Sequence, residues 1–461
     1  MRRQHGRQYA GLLAMAITVV YALYLLNSEY HNLYYDAEMY WQLGHRFFQQ
    51  GRFSLLAYDD ALRGYAYPLV NFGCLALRKL FDVPAVTVVK LLNAGLAGLF
   101  FGVIGPRLWQ ISTDQPALPS VARRLLWALL GFVFWRDYFN FSMSDFPALI
   151  ALGVALWQAQ RSTAWAALAA GLALALALNV RPVYQASAPL VVLLLLLSTA
   201  RAAWPARLAL FGLGLALVLA PQWLINRRYF GVSTPLVVSQ SRELHIQNLY
   251  LQKLKYGLLH EKYESSVGPG LPTGQLLFLD AKGQAVLQAE KVTDFYTGGQ
   301  YGRLAVRHPG VLAAVYARHL FAGLDISHPT PYLRRWSPSV VRNGLNYTLW
   351  FWAGLVVLGW RWPNRRQALV LAALLLPCLA VLPMSMEVRF LLPLHLLLLA
   401  LVAFGPWPRW VIASKRRVAV VGVAYGLFLA GCFALSANIT QDVEPRFQAY
   451  LLPDSGAAEK Q

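Results

Sequence analysis

Residues 164–198 read AWAALAAGLALALALNVRPVYQASAPLVVLLLLLS, two apolar runs with Arg181 as the only charge between them. A helix needs about 20 residues to cross the hydrocarbon core of a bilayer, within a range near 17–25. Neither run has the period-two alternation of a barrel strand, and only helices or closed barrels satisfy their backbone in lipid. The stretch reads as two consecutive membrane helices joined at Arg181-Pro182.

Runs of the same kind recur at Leu12–Leu26, Thr87–Ile104 and Val418–Leu435. The full set of expected spans is 9–26, 86–105, 123–138, 145–160, 164–180, 183–198, 206–224, 343–360, 367–383, 389–404 and 418–436. Of the 461 residues, 57% are hydrophobic and 13% charged, whereas a soluble domain carries about 25% charged residues. The expected fold class is an all-α polytopic membrane protein with about 11 transmembrane helices.

Segment 66–81 is apolar too, but it carries Arg78 and Lys79. If it does not span, the loops on the N-terminal side are 1–8, 106–124, 161–163, 199–207, 361–366 and 405–417. Together they hold sixteen Lys/Arg and a single acid, Asp114. Short-loop Lys/Arg bias sets orientation, so this arrangement is preferred and 66–81 becomes a juxtamembrane helix on the outer face. The N-terminus is then cytoplasmic and the C-terminus outside. The expected division is a membrane half 1–224 with a first outer loop 27–85, a large outer loop 225–342, a second membrane half 343–436 and an outer tail 437–461. Within the large loop, 276–280 and 284–288 suggest a hairpin, and Arg307–Leu324 an amphipathic helix. Gly268-Pro269-Gly270-Leu271-Pro272 signals a loop.

The net charge of +20 is distributed as a membrane protein distributes it, which argues against nucleic acid as a partner. Cys74, Cys378 and Cys432 lie in apolar segments without ligand spacing and read as small buried hydrophobes. The basic start and apolar run to Leu26 lack a small-x-small cleavage site and read as a retained first span.

Polar residues gather in the outer segments. Asp36 and Glu38 follow the first span within Tyr34-Tyr35-Asp36-Ala37-Glu38-Met39-Tyr40-Trp41. A partly desolvated carboxylate there can serve as a base. Arg63, Tyr65 and Tyr67 lead into the surface helix, where a guanidinium can bind phosphate through two parallel bonds. Asp145 lies in Phe141-Ser142-Met143-Ser144-Asp145-Phe146-Pro147, and it is also a candidate N-cap. Arg181 precedes Pro182, and Glu387 and Arg389 share a short outer loop where they could pair with each other. Isolated ionisable groups so close to hydrocarbon point to function.

The order of these features resembles the GT-C superfamily of membrane glycosyltransferases, in particular the aminoarabinose transferase and protein O-mannosyltransferase group. The resemblance rests on Asp36 after the first span, Tyr67-Pro68 opening a surface helix, Asp145 after the third span and Arg181-Pro182 opening a later one. It extends to Pro221-Gln222-Trp223-Leu224-Ile225-Asn226-Arg227-Arg228-Tyr229-Phe230-Gly231 and Glu387-Val388-Arg389-Phe390-Leu391-Leu392-Pro393, covering most of 1–405. It implies a GT-C-like bundle in a bacterial inner membrane that acts in the cell envelope. The implied activity moves a hexosyl or pentosyl group from a polyprenyl-phosphate donor to a lipid, glycan or protein acceptor, by one inverting displacement. Asp36 would be the base, with Glu38 a lesser candidate for that role. Arg63, Arg181 and Arg389 would hold the carrier phosphate, Asp145 would orient the acceptor or a metal ion, and Glu387 would position Arg389.

No cofactor is required by this chemistry, although the first-loop acids could hold a divalent ion. His308, His319 and His328 match no ligand spacing. A flippase for lipid-linked sugars, or a polysaccharide ligase or polymerase, is the alternative class. A transporter predicts charges midway along spans, for which Lys90 is the clearest instance.

Overall fold

The computed structural model describes residues 2–241, 246–268, 274–335, 338–360, 363–440 and 443–446. The chain is mostly helical and divides into two compact units. The first comprises 1–238, 361–377 and 399–405; the second comprises 239–360, 378–398 and 406–461. These units do not follow the expected boundaries, because 343–436 is shared between them.

In the first unit, the helices Arg2–Leu26, Ala66–Phe81, Asp145–Ala159 and Ala164–Val180 lie where the apolar runs predict them. The Ala66–Phe81 helix buries Tyr67, Asn71 and Cys74 on one face and exposes Val70, Leu77, Leu80 and Phe81. Its two cations fall in the last turn, where the helix dipole favours positive charge.

Several boundaries differ. The expected span 86–105 continues as one helical stretch to Thr113, taking in residues assigned to an inner loop. A wide turn at Phe100–Ile104 accommodates Pro106, whose ring would clash with the carbonyl four residues earlier in a regular helix. The span expected at 123–138 is helical over Val121–Trp135 and tightens at Arg136–Asn140. The span expected at 183–198 begins with a tight turn at Pro182–Ser187 before the Ala188–Leu197 helix. The Trp204–Phe230 helix runs past its expected end at 224, through Pro221, to Gly231 in the left-handed region at φ 66°.

Within the described residues, three helical stretches are long and apolar enough to cross a membrane: Ala85–Thr113, Arg201–Phe230 and Lys415–Ile439. Five other apolar helices, including Ala164–Val180, are shorter.

The second unit carries structure that hydropathy alone does not reveal. A four-stranded sheet has the order Tyr332–Leu333, His260–Ser266, Gly274–Leu279, Val443–Arg446. The central pair is antiparallel, with Glu264 opposite Leu276. The expected hairpin 276–280/284–288 is therefore incorrect. Residues Ala281–Ala289 form a helix, capped by the Asp280 carboxylate, which accepts the Gly283 N–H at 2.8 Å. That cap competes successfully with a turn. Part of the tail becomes an edge strand, a position that tolerates Pro445. The expected helix 307–324 forms over Pro309–Leu324, with Pro309 at its first position, and a separate helix, Gly298–Arg307, ends just before it. Positions 269–272 of the expected loop lie outside the described residues.

Also in this unit, the buried Asp325 carboxylate accepts hydrogen bonds from Tyr347 Oη and Ser436 Oγ, each at 2.7 Å. It links the end of Pro309–Leu324 to the Val340–Leu358 and Lys415–Ile439 helices. The Lys415–Ile439 helix exposes Val420, Val423 and Leu427, an apolar surface that suits a hydrocarbon surrounding. All three cysteines are buried, as their apolar context predicts.

Candidate functional site

The first unit brings four of the expected residues into two ion pairs. Asp36 stands in the first turn of the Tyr35–His45 helix, where the N-terminal dipole favours a carboxylate. Tyr35 beside it adopts φ 43°, a left-handed conformation that is costly for a bulky residue and is often found at functional positions. Arg63 Nη2 lies 3.4 Å from Asp36 Oδ1, and both side chains are partly open, at 24% and 30% exposure.

The Arg63 turn is tied down by a residue not singled out from sequence. Asp60 Oδ1 accepts the Leu62 and Arg63 N–H groups at 2.9 and 2.6 Å. Burial pushes the Asp60 carboxyl up from its ordinary range, against the opposing effect of those N–H bonds. Gly64 then presses on Asn179, where any Cβ would meet the Asn179 carbonyl and side chain.

The second pair joins Asp145 and Arg181. The Ala164–Val180 helix ends as the residue before proline requires, with Arg181 extended at φ −147° and ψ 101°. The Arg181 guanidinium pairs with Asp145, and Tyr138 Oη also donates to that carboxylate. Asp145 is therefore not an N-cap. It is inside the first turn of Asp145–Ala159, and its side chain makes tertiary bonds. At 1% exposure it is enclosed by Tyr138 and Arg181.

Aromatic and hydroxyl groups connect the pairs. The Arg63 guanidinium lies 5.8 Å from the centre of the Tyr40 ring. Tyr40 Oη donates to Ser144 Oγ at 3.2 Å, and the Tyr40 and Tyr67 rings meet edge to face at 4.9 Å. Ser142 Oγ reaches Tyr67 Oη at 3.1 Å and Asn71 Oδ1 at 2.6 Å. Burial raises the Tyr67 hydroxyl well above its ordinary value, so it stays protonated.

A chain of buried amides supports the arrangement from behind. Asn179 Oδ1 accepts the Ala66 N–H at 2.8 Å, and Asn179 Nδ2 donates to Gln222 Oε1 at 2.9 Å. Gln222 Nε2 donates to Asn226 Oδ1 at 2.8 Å. Such residues are legible as polar positions inside apolar runs, a signal that sequence reasoning passed over. Tyr65 belongs to this support: its N–H donates to Gln222 Oε1 and its hydroxyl to the Val218 carbonyl, at 3.2 and 2.9 Å. Glu38 is exposed on the helix that carries Asp36.

Glu387 and Arg389 belong to the second unit and pair with each other, Arg389 Nε to Glu387 Oε1 at 2.7 Å. Tyr263 Oη donates to the other carboxylate oxygen at 2.9 Å. The three histidines go to separate partners: His308 to Glu290 at 2.8 Å, His319 to the Leu382 carbonyl at 2.6 Å, and His328 beside Glu264 at 3.8 Å. Among the described residues no group of three or more His, Cys, Asp or Glu side chains could hold a metal ion.

No family model matches the chain, and no curated protein matches it.

Proposed function

We propose that the protein is a membrane glycosyltransferase that moves a sugar from a polyprenyl-phosphate donor to an acceptor at the outer face of a bacterial inner membrane. The reading includes about eleven crossings, a cytoplasmic N-terminus and a periplasmic C-terminus. The observation that carries it is the pairing of Asp36 with Arg63 and of Asp145 with Arg181, linked through Tyr40 and the serines of 142–144. The resemblance to the GT-C superfamily supplies the reaction class.

The chemistry follows from these groups. Phosphate is a good leaving group, so the reaction needs a base and a cationic cradle more than a general acid. Asp36, partly open and next to a guanidinium, takes the proton as the acceptor oxygen or nitrogen attacks the anomeric carbon. The bond from that carbon to the carrier phosphate breaks with inversion. Arg63 and Arg181 stabilise the charge released on the phosphate. In the second unit, Arg389 is held by Glu387, which Tyr263 holds in turn.

A second reading, transport of a lipid-linked sugar, draws on Lys90. This side chain is only 3% exposed within the apolar Ala85–Thr113 stretch, and isolated charge in a span often marks a transport route. The deciding experiment supplies radiolabelled polyprenyl-phosphate sugars to the purified protein in nanodiscs. Release or transfer of sugar by wild type, abolished in Asp36→Asn, is expected. Movement of intact labelled lipid across liposomes without any sugar release would replace transfer by transport.

A further inference from the structure

Arg124 occupies an unusual position. It lies in the first turns of the Val121–Trp135 helix, its backbone N–H bonded to the Ser120 carbonyl at 3.0 Å. Cations are disfavoured at that end of a helix. The residue is also 4% exposed, and its Nε and Nη1 find no hydrogen-bond acceptor among the described residues. Buried guanidinium groups without a counter-charge carry a large desolvation penalty. Dipole, burial and missing partner all act in the same direction.

The contrast with Arg207 is informative. That residue is equally buried at 3%, yet its guanidinium donates to Ser198 Oγ at 3.1 Å and to the Arg161 carbonyl at 2.5 Å. Residues 2–9 contain no carboxylate that could serve Arg124, and Asp114, the only acid in the same loop segment, is exposed.

Two further observations indicate a ligand. The Ser120 side chain makes no capping bond, so it leaves the first-turn N–H groups unserved. These are the groups that bind anions at helix N-termini. Long side chains lean back toward the helix N-terminus, which brings the Arg124 guanidinium to the same end. On the outward face of the same helix, Val121, Leu125 and Leu129 present an exposed apolar strip, at 46%, 51% and 58%.

We propose that the N-terminus of the Val121–Trp135 helix and Arg124 form a binding site for a phosphate group, filled by the headgroup of an anionic phospholipid whose acyl chains lie along Val121, Leu125 and Leu129. The site is independent of the transfer reaction. It accounts for a buried cation among basic loops that otherwise repel one another.

The test uses the full-length protein in detergent, with thermal unfolding followed as phosphatidylglycerol, phosphatidylcholine or inorganic phosphate is added. Anionic lipid is expected to raise the wild-type midpoint by at least about 3 °C over phosphatidylcholine. Arg124→Gln should lose most of that rise, and Arg124→Lys, which keeps the charge without the planar fork, should keep part of it. A rise with inorganic phosphate alone supports the same anion site and assigns it to a free ion. If wild type fails to distinguish the anionic additives from phosphatidylcholine, the proposal is overturned, whether or not the variants fold. An Arg124→Gln protein that responds like wild type overturns it equally.

Discussion

Arg181 and Asp145 meet across two helix junctions, one at the end of Ala164–Val180 and the other at the start of Asp145–Ala159, and Tyr138 holds the carboxylate from its other side. The pair has a buried acid and a partly open base, 2% against 18% side-chain exposure. An acid so enclosed fixes the guanidinium and leaves it presented to whatever anion arrives.

Breaking this pair leaves a charge without its partner. Asp145→Asn should therefore destabilise the protein by about 3–5 kcal/mol and lower sugar transfer, whereas Asp145→Asn combined with Arg181→Gln should recover part of the stability without recovering activity. Denaturation midpoints of the three variants, read beside transfer rates, check this. Additive losses in the double variant would mean the two residues do not act as a pair.

Asp36 offers the complementary case. Its carboxylate is 30% exposed and 3.4 Å from Arg63, so Asp36→Asn should leave the thermal midpoint nearly unchanged. Transfer should fall by about 10²- to 10⁴-fold, the range for loss of a general base. Full activity in a normally folded Asp36→Asn protein would remove Asp36 from the reaction.

Gly64 allows the Arg63 turn to pack on the end of the Ala164–Val180 helix, where a Cβ would meet Asn179. Gly64→Ala should cost about 1–3 kcal/mol through overpacking and should raise KM for the donor more than it lowers kcat, because Arg63 shifts. A variant with wild-type stability and kinetics would show that the turn has room to move.

In the second unit, Lys262 and Glu264 lie on one strand, 2.9 Å apart and largely buried. Burial works against the charged Glu264, but Lys262 and His328 outweigh it and hold the carboxyl below its ordinary value of 4.5. A folded-state value below the unfolded one contributes stability above the unfolded value that is lost as pH falls through the folded one. The wild-type advantage over Glu264→Gln should thus be full near pH 7 and shrink below about pH 4.5. Unfolding midpoints of both proteins from pH 3 to 8 measure this, and a gap that does not change with pH would contradict it.

Much of the helical architecture is legible in the sequence because hydrophobic period and proline position act locally. The Ala66–Phe81 and Ala164–Val180 helices coincide with the apolar runs, and Arg181 is extended because Pro182 follows it. Residues 284–288 suggest a strand but lie in the Ala281–Ala289 helix, because a short mixed segment satisfies either period and only the Asp280 cap decides between them. For Asp145 the sequence leaves a site role and an N-cap both open, because its tertiary partners, Tyr138 and Arg181, are not set by local spacing.

The sequence by itself determined the helical class, the segregation of basic from acidic loops and the residues from which a site could be built. All of these depend on how each short segment partitions between water and hydrocarbon. Only the tertiary structure decided that Asp36 pairs with Arg63 and Asp145 with Arg181, that the Tyr65 hydroxyl donates to the Val218 carbonyl, and that residues 443–446 complete a sheet. Such pairings require the chain to close long loops, and the contacts that offset that entropy exist only once distant segments have met.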